Sequence, residues 1–323
     1  MITLDVSENP DKEWNDRLRK SCLGTIYQSK EMGIFYKKIN TIPRFLQFKN
    51  SKDEIVGQLL LSISSRFKKK GLKGKFFQKS PFLKKKVFQW TYGPIVFDSN
   101  YKEKIYSVLG KHLISEKCRV VGWENPLSPS SISSLGKTFH NQKWCTFLID
   151  LNKNIEDIFS NIDKHSGRKN IERSIKRGVT IEEINEKTLE DYNNLLKTMR
   201  PEIPEEETGF NRLFEWWRLF KPLGYSGFLA KKDNEIIGGL LFSFFCNHII
   251  EGGLVRSTKD LNENLYSQDL IKWKIIEWGQ KNNMKFYNLA GVNPNPQSKK
   301  EEGILRYKKK WGGVKYNYWK ISI

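Results

Sequence analysis

An internal repeat constrains this chain more than any other feature. Residues Asp53 to Leu60 read DEIVGQLL, and Asn234 to Leu241 read NEIIGGLL. Each follows an apolar stretch, Phe45-Leu46-Gln47-Phe48 or Gly227-Phe228-Leu229-Ala230, and each precedes another, Leu61-Ser62-Ile63 or Phe242-Ser243-Phe244-Phe245. Strand, polar turn and strand make a β-hairpin, with turns expected at Ser51–Asp53 and Lys232–Asn234. A second match follows in the same order. Ile105-Tyr106-Ser107 opens a helical stretch that ends before Arg119-Val120-Val121-Gly122-Trp123, and Leu265-Tyr266-Ser267 opens another that ends before Lys285-Phe286-Tyr287-Asn288-Leu289. In the later helix Tyr266, Leu270 and Trp273 recur beside Ile271, Ile275 and Trp278, a broad apolar face at helical spacing. Hairpin, helix and returning strand, occurring twice, imply a duplicated α/β unit whose sheets are mixed, mostly antiparallel and flanked by helices.

A chain of 323 residues exceeds the size at which one core keeps growing, so two domains are expected. The apolar run Trp144 to Leu151 gives way to polar residues, which places the division at 1–150 and 151–323.

Charge sets the class of partner. The formal net charge is +20, which favours polyanions such as nucleic acid, phosphate-bearing substrates or an anionic membrane surface. Two segments concentrate it. Arg66 to Lys86 holds nine lysines and one arginine among Phe67, Phe76, Phe77, Phe82 and Leu83, with Gly71, Gly74 and Pro81 to break any helix. It reads as a basic loop, 66–86, suited to an RNA backbone or an anionic bilayer. Lys164 to Gly178 reads as a helix with Lys169, Arg173 and Lys176 on one face, Ile171 and Ile175 on another, and Gly178 as C-cap.

Other features are bland or exclude functions. Thr188 starts a helix whose Tyr192, Leu195, Leu196 and Met199 are core candidates, and Asn211 is the expected cap of a Phe214–Phe220 helix. Cys22, Cys118, Cys145 and Cys246 form no C-x-x-C pair; Cys118 and Cys246 sit in apolar runs and are expected to be buried thiols. His112, His140, His165 and His248 lack zinc-ligand spacing, so no metal is expected. The acidic, polar start MITLDVSENPDKEW is unlike a signal peptide, and no apolar run reaches membrane-spanning length. A cytoplasmic protein is expected, peripheral at the inner membrane face if 66–86 binds lipid.

Several fragments, in chain order, resemble the Fem family of peptidoglycan-bridge aminoacyltransferases. Gln28-Ser29 resembles its early Q-S-P-x-W element, with Lys30 and Met32 in place of Pro and Trp. Tyr92-Gly93-Pro94-Ile95-Val96 resembles R-G-P-V. Arg168 to Val179, RKNIERSIKRGV, is similar to the R-x-x-I-x-x-A-x-x-x-G-V helix. Tyr287 to Gly291 resembles Y-D-x-x-G, with Asn288 where an acid is common. GILRYKKKWGG, Gly303 to Gly313, resembles G-L-x-x-F-K-x-x-F-G-G. The resemblance spans nearly the whole chain and implies two tandem GNAT-like domains of the BioF2-like acyltransferase superfamily.

It also implies a reaction, transfer of an aminoacyl group from aminoacyl-tRNA to an amine on a phosphate-bearing cell-envelope precursor, with no further cofactor. Lys308 matches the family lysine that stabilises the transition state and the leaving hydroxyl, and Tyr307 beside it is the group that would orient the donor. Arg168 or Arg173, and Lys37 or Lys38, would hold acceptor phosphate; Arg306, Lys309 and Tyr266 complete the expected binding set. Glu251 is open to two readings, general base or buried paired carboxylate. Two other functions stay open. The first is an acyl-CoA-dependent N-acyltransferase on an amino sugar, lipid or peptide, but its Gly-rich pyrophosphate loop is missing, because Ser257 to Glu263 contains no glycine. The second is a non-catalytic RNA- or membrane-surface-binding protein.

Overall fold

The computed structural model describes residues 1–65, 86–129 and 139–322. The basic loop expected at 66–86 lies, apart from Lys86, outside the described residues. The chain divides into two compact units, Met1–Cys145 with Asn317–Ile323, and Thr146–Tyr316. The two units meet in sequence at 145/146, and the closing residues belong to the first. The reason is the last strand, Val314–Ser322, which begins in one unit and ends in the other.

In the first unit, β1 (Thr3–Ser7), β2 (Ile42–Lys49), β3 (Ile55–Ser65), β4 (Lys86–Trp90) and β6 (Arg119–Trp123) lie in the order β1-β2-β3-β4-β6, followed by the end of β13 (Val314–Ser322); the short β5 (Ile95–Val96) pairs with β3. Among the described strands of this unit only β4 and β6 are parallel, from Val87 opposite Arg119 to Trp90 opposite Gly122. Helices α1 (Trp14–Ser21), α2 (Lys30–Lys38) and α3 (Lys102–Ser115) accompany the sheet. Leu46, Leu59, Leu61, Phe88, Trp90 and Val120 form the core with Ile105, Leu109 and Leu113 of α3. The Gln28-Ser29 pair is a structural clasp. The buried Gln28 side chain accepts from Leu60 N (2.8 Å) and donates to Leu60 O and Thr91 O, while Ser29 caps α2 by accepting from Met32 N.

The second unit repeats the plan. β8 (Thr180–Glu183), β9 (Tyr225–Lys232), β10 (Glu235–Ser243), β11 (His248–Arg256) and β12 (Phe286–Asn288), with the end of β7 (His140–Asp150), take the order β7-β12-β11-β10-β9-β8. Again one pair is parallel, β11 with β12. Helices α4 (Ile155–Asn161), α5 (Lys169–Lys176), α6 (Leu189–Met199), α7 (Phe210–Gly224), α8 (Thr258–Asn262), α9 (Ser267–Lys281) and α10 (Lys299–Lys309) belong to this unit.

The repeat has a local explanation. Asp233 and Asn234 both take left-handed φ, as a two-residue hairpin turn requires, and Asp53 does so in the earlier hairpin. The shared glycine makes room for the next helix. A Cβ at Gly57 would stand 2.8 Å from Ile105 Cδ1, and one at Gly238 2.5 Å from Ser267 Oγ.

Some expectations are corrected. Ile171 is buried but Ile175 is 59 % exposed, because the inner face of α5 is built from Asn170, Ile171 and Ser174. Tyr192 is buried, whereas Leu195, Leu196 and Met199 are half-buried. Gly209, not Asn211, precedes the first turn of α7. Cys145 is the buried thiol; Cys118 and Cys246 are half-buried and Cys22 is exposed. No described helix is long and apolar enough to cross a membrane.

Candidate active site

The site begins where two parallel strands part. β11 pairs with β12 from His248–Phe286 to Ile250–Asn288, then continues alone on that side to Arg256. Gly252 and Gly253, just beyond the last pair, are exposed although β11 lies inside the sheet. β12 turns away at Ala290, whose φ of +59° is left-handed. Asn288 supports that turn: its Oδ1 accepts from Ala290 N (2.9 Å) and from the Thr146 hydroxyl (2.5 Å). The turn presents the Ala290 and Gly291 carbonyls to α10, and Lys308 Nζ donates to both, at 3.0 and 3.1 Å. Lys308 is thereby fixed as a positioned cation at the end of β12.

Behind it lies a buried charged network. Lys272, fully buried on α9, pairs with Glu251 of β11, which is 9 % exposed. Lys310 Nζ pairs with Asp269 of α9 at 2.5 Å and donates to Ser166 O at 2.7 Å. Asn170 Nδ2 donates to the other Asp269 oxygen, 3.0 Å. Tyr287 donates its hydroxyl to Glu251 at 3.4 Å. The Tyr307 hydroxyl is buried and faces the Asp269 carboxylate without meeting hydrogen-bond geometry, and Lys310 lies over its ring, 4.2 Å from the centroid. Burial, then the Asp269 and Glu251 charges, hold the Tyr307 phenol well above its ordinary value; burial and Glu251 do the same for Tyr287. Burial also lowers Lys310, with Asp269 opposing. Both phenols stay neutral at physiological pH. Of the two readings for Glu251, the structure shows the buried, paired carboxylate. A buried ion pair of this kind fixes geometry more than it stabilises.

The N-terminus of α9 is already occupied. Asp260, fully buried, accepts from Ser267 N at 2.9 Å through Oδ1 and pairs with Arg256 through Oδ2. Helix N-termini favour anions, and here the chain supplies its own. Gln268 donates to Val255 O at 2.7 Å, tying the same turn to β11.

The expected residues fall in several places. Lys308 and Tyr307 meet the site from α10, while Arg306 and Lys309 on the same helix are exposed. Arg168 ends a π-helical turn, Lys164–Arg168, and its Nε is buried without a partner. Arg173 and Tyr266 come together: the guanidinium lies 5.9 Å from the ring centroid, with Arg177 over the same ring at 5.5 Å. Lys37 and Lys38 are exposed at the end of α2 in the first unit, with Lys37 donating to Asn9. Sequence reasoning missed Asp269, Lys272 and Lys310. The signal was present, since Asp269 and Lys272 share with Ile276 the i, i+3, i+7 spacing of a buried helix face. Among the described residues no group of three or more His, Cys, Asp or Glu stands ready to hold a metal ion.

This geometry can be set beside known proteins. No family model and no curated protein matches the chain. Solved structures do. The chain is similar to FemX, with a TM-score of 0.70 and 11 % identity over 98 % of this chain and 96 % of that one. It is similar to L-PGS from Bacillus licheniformis (TM-score 0.57, 11 % identity, 98 % and 93 % covered). It also resembles a tandem GNAT protein of the clavulanic acid biosynthesis pathway (TM-score 0.58, 11 % identity, 100 % and 98 % covered). The chain therefore has the tandem GNAT fold, mixed α/β, over its whole length.

Proposed function

We propose that this chain is an acyltransferase and, within that class, an aminoacyltransferase that takes its donor from aminoacyl-tRNA. The observation that carries the reading is Lys308, an ammonium clamped by two carbonyls at the end of β12 in a fold also found in FemX and L-PGS. In the proposed step the acceptor amine attacks the ester carbonyl of the donor. A C–N bond forms, the C–O bond to the ribose breaks, and the amine proton ends on the leaving hydroxyl. Charge develops on the carbonyl oxygen and then on the leaving oxygen, and a fixed cation beside them stabilises both. The acceptor is an amine on a phosphate-bearing precursor, with Arg168 and Arg173 as its anchors.

A CoA thioester is less well accommodated. Its pyrophosphate would need the N-terminus of α9, where Asp260 already takes the Ser267 amide. The nearby cations Arg256 and Lys310 are already paired with Asp260 and Asp269.

The test compares transfer from charged tRNA and from acetyl-CoA to amine acceptors, for wild type and Lys308→Ala. Transfer from tRNA, falling about 10²–10³-fold in the variant, supports the reading. Saturable acetyl-CoA binding with no affinity for tRNA overturns it.

A further inference from the structure

The sheet of the first unit carries an aromatic array that the acyl-transfer chemistry does not use. On β6, Val120 belongs to the core and Trp90 lies over Gly122, so Arg119, Val121 and Trp123 take the opposite face. On β13, Ile321 belongs to the core, so Lys320 takes that opposite face too, directly across from Trp123 in the register. The other neighbour of β13 is β7, which brings Trp144. Lys320 Nζ lies 5.6 Å from the Trp123 ring centroid and 5.8 Å from that of Trp144. Two indoles, on strands about 10 Å apart across β13, thus share one ammonium.

All three side chains are half-buried. Lys320 pairs with no carboxylate among the described residues. Within this unit β6, β13 and β7 carry Arg119, Lys143 and Lys320 and no Asp or Glu. The next acid along from β6, Glu124, is fully buried and is taken by the Tyr106 hydroxyl and Trp319 N. Two π faces around a cation that no anion neutralises complement a ligand with both flat rings and negative charge. Nucleotides have both. Bases stack on aromatic side chains whatever their sequence, while a cation beside them meets the phosphate. Sheets that bind unpaired RNA use the same layout, with aromatic rings on one open face. Half-buried rings inside a sheet are too recessed to enter a bilayer.

We propose that Trp123, Lys320 and Trp144 form a stacking platform for unpaired nucleotides of RNA. Each indole takes a base, and Lys320 takes the phosphate between them. Arg119, on the same face of β6, extends the cationic track. The strands fix the rings before RNA arrives, so little side-chain freedom is lost on binding. On the tRNA-dependent reading above, these nucleotides belong to the donor.

Binding of a short, unstructured, fluorescein-labelled RNA to the full chain, read by anisotropy, tests this. Trp123→Ala/Trp144→Ala should lower the affinity about tenfold or more. The same pair should leave binding of a duplex RNA unchanged, because its bases are already stacked on one another. Neither substitution alters the net charge of +20, so general attraction to a polyanion is retained. Trp123→Tyr/Trp144→Tyr keeps both rings and should hold most of the affinity, which guards against loss through misfolding. Lys320→Gln should lower affinity several-fold and reduce the salt dependence by about one phosphate contact. Wild type that fails to bind the single strand overturns the proposal, as does an alanine pair that binds it unchanged or loses the duplex equally. Binding of phosphatidylserine vesicles through the same three side chains, with none of RNA, also overturns it. Ring-dependent binding of RNA supports the platform even where transfer from tRNA fails, a result that would sink the donor reading alone.

Discussion

The two units answer the same structural problem in opposite ways. Each has a hairpin, a helix lying over a hairpin glycine, and one parallel strand pair whose ends must be managed. In the first unit β4 and β6 pair over four residues, and the indole of Trp90 fills the space over Gly122. Beyond it Tyr106 donates to Glu124 at 2.7 Å, and Trp319 N donates to the other Glu124 oxygen. All is closed: Trp90 is 1 % exposed and Glu124 is fully buried. In the second unit β11 and β12 pair over three residues, two glycines stay exposed, and buried ion pairs stand where the first unit has an indole. One unit thus ends its parallel pair in buried packing, the other with exposed backbone at Gly252 and Gly253.

Substitutions can break or sharpen this contrast. The largest effect is expected at Lys272→Met, which leaves Glu251 buried without its cation and should cost about 3–5 kcal/mol in denaturant unfolding. Adding Glu251→Leu should restore most of it, because removing both charges is far cheaper than removing one. Next comes Gly122→Ala in the closed unit. The new methyl would fall inside the Trp90 ring, a loss of about 3 kcal/mol, measured the same way. Tyr106→Phe should cost about 1–3 kcal/mol, since it removes a hydroxyl that donates to the buried Glu124 carboxylate.

The smallest effect is a pH dependence. Burial, and then Lys285, lowers His248 from 6.5 to about 4. The unfolded chain takes up this proton first, so stability is full above pH 6.5 and declines as pH falls towards 4. The shift bounds the loss at about 3.4 kcal/mol, at 1.36 kcal/mol per pKa unit, and solvent screening of the partly exposed ring holds it well below that bound. His248→Phe should flatten that part of the stability profile, read from unfolding midpoints between pH 7 and pH 4.5.

Much of the fold was legible in the sequence because its signals are local. Turn residues at Asp53 and Asp233–Asn234, the repeated glycine and the Tyr266-Ser267 helix start each specify geometry within a few residues, whereas Tyr106-Ser107, expected to open a helix, lies inside α3, which begins at Lys102. The return of Asn317–Ile323 to the first unit was not, since no local pattern reports which sheet a terminal strand joins. The site was half legible. Lys308 came from a resemblance and sits where a strand end can hold it. Lys310, two residues on in a run of three lysines, reads as surface, yet its side chain is buried against Asp269, a partner far away in sequence. Arg173 and Tyr266 were each singled out, but their stacking depends on the left-handed turn at Tyr266, which is set by tertiary context.

The path of the last strand also sets an order of events during synthesis. β6 of the first unit waits for Lys320, Ile321 and Ser322 to complete its edge. Those residues leave the ribosome only after the whole second unit has been made. The first half of the protein to be translated is therefore the half whose sheet closes last, and until then β6 carries an unpaired backbone edge that other chains can reach.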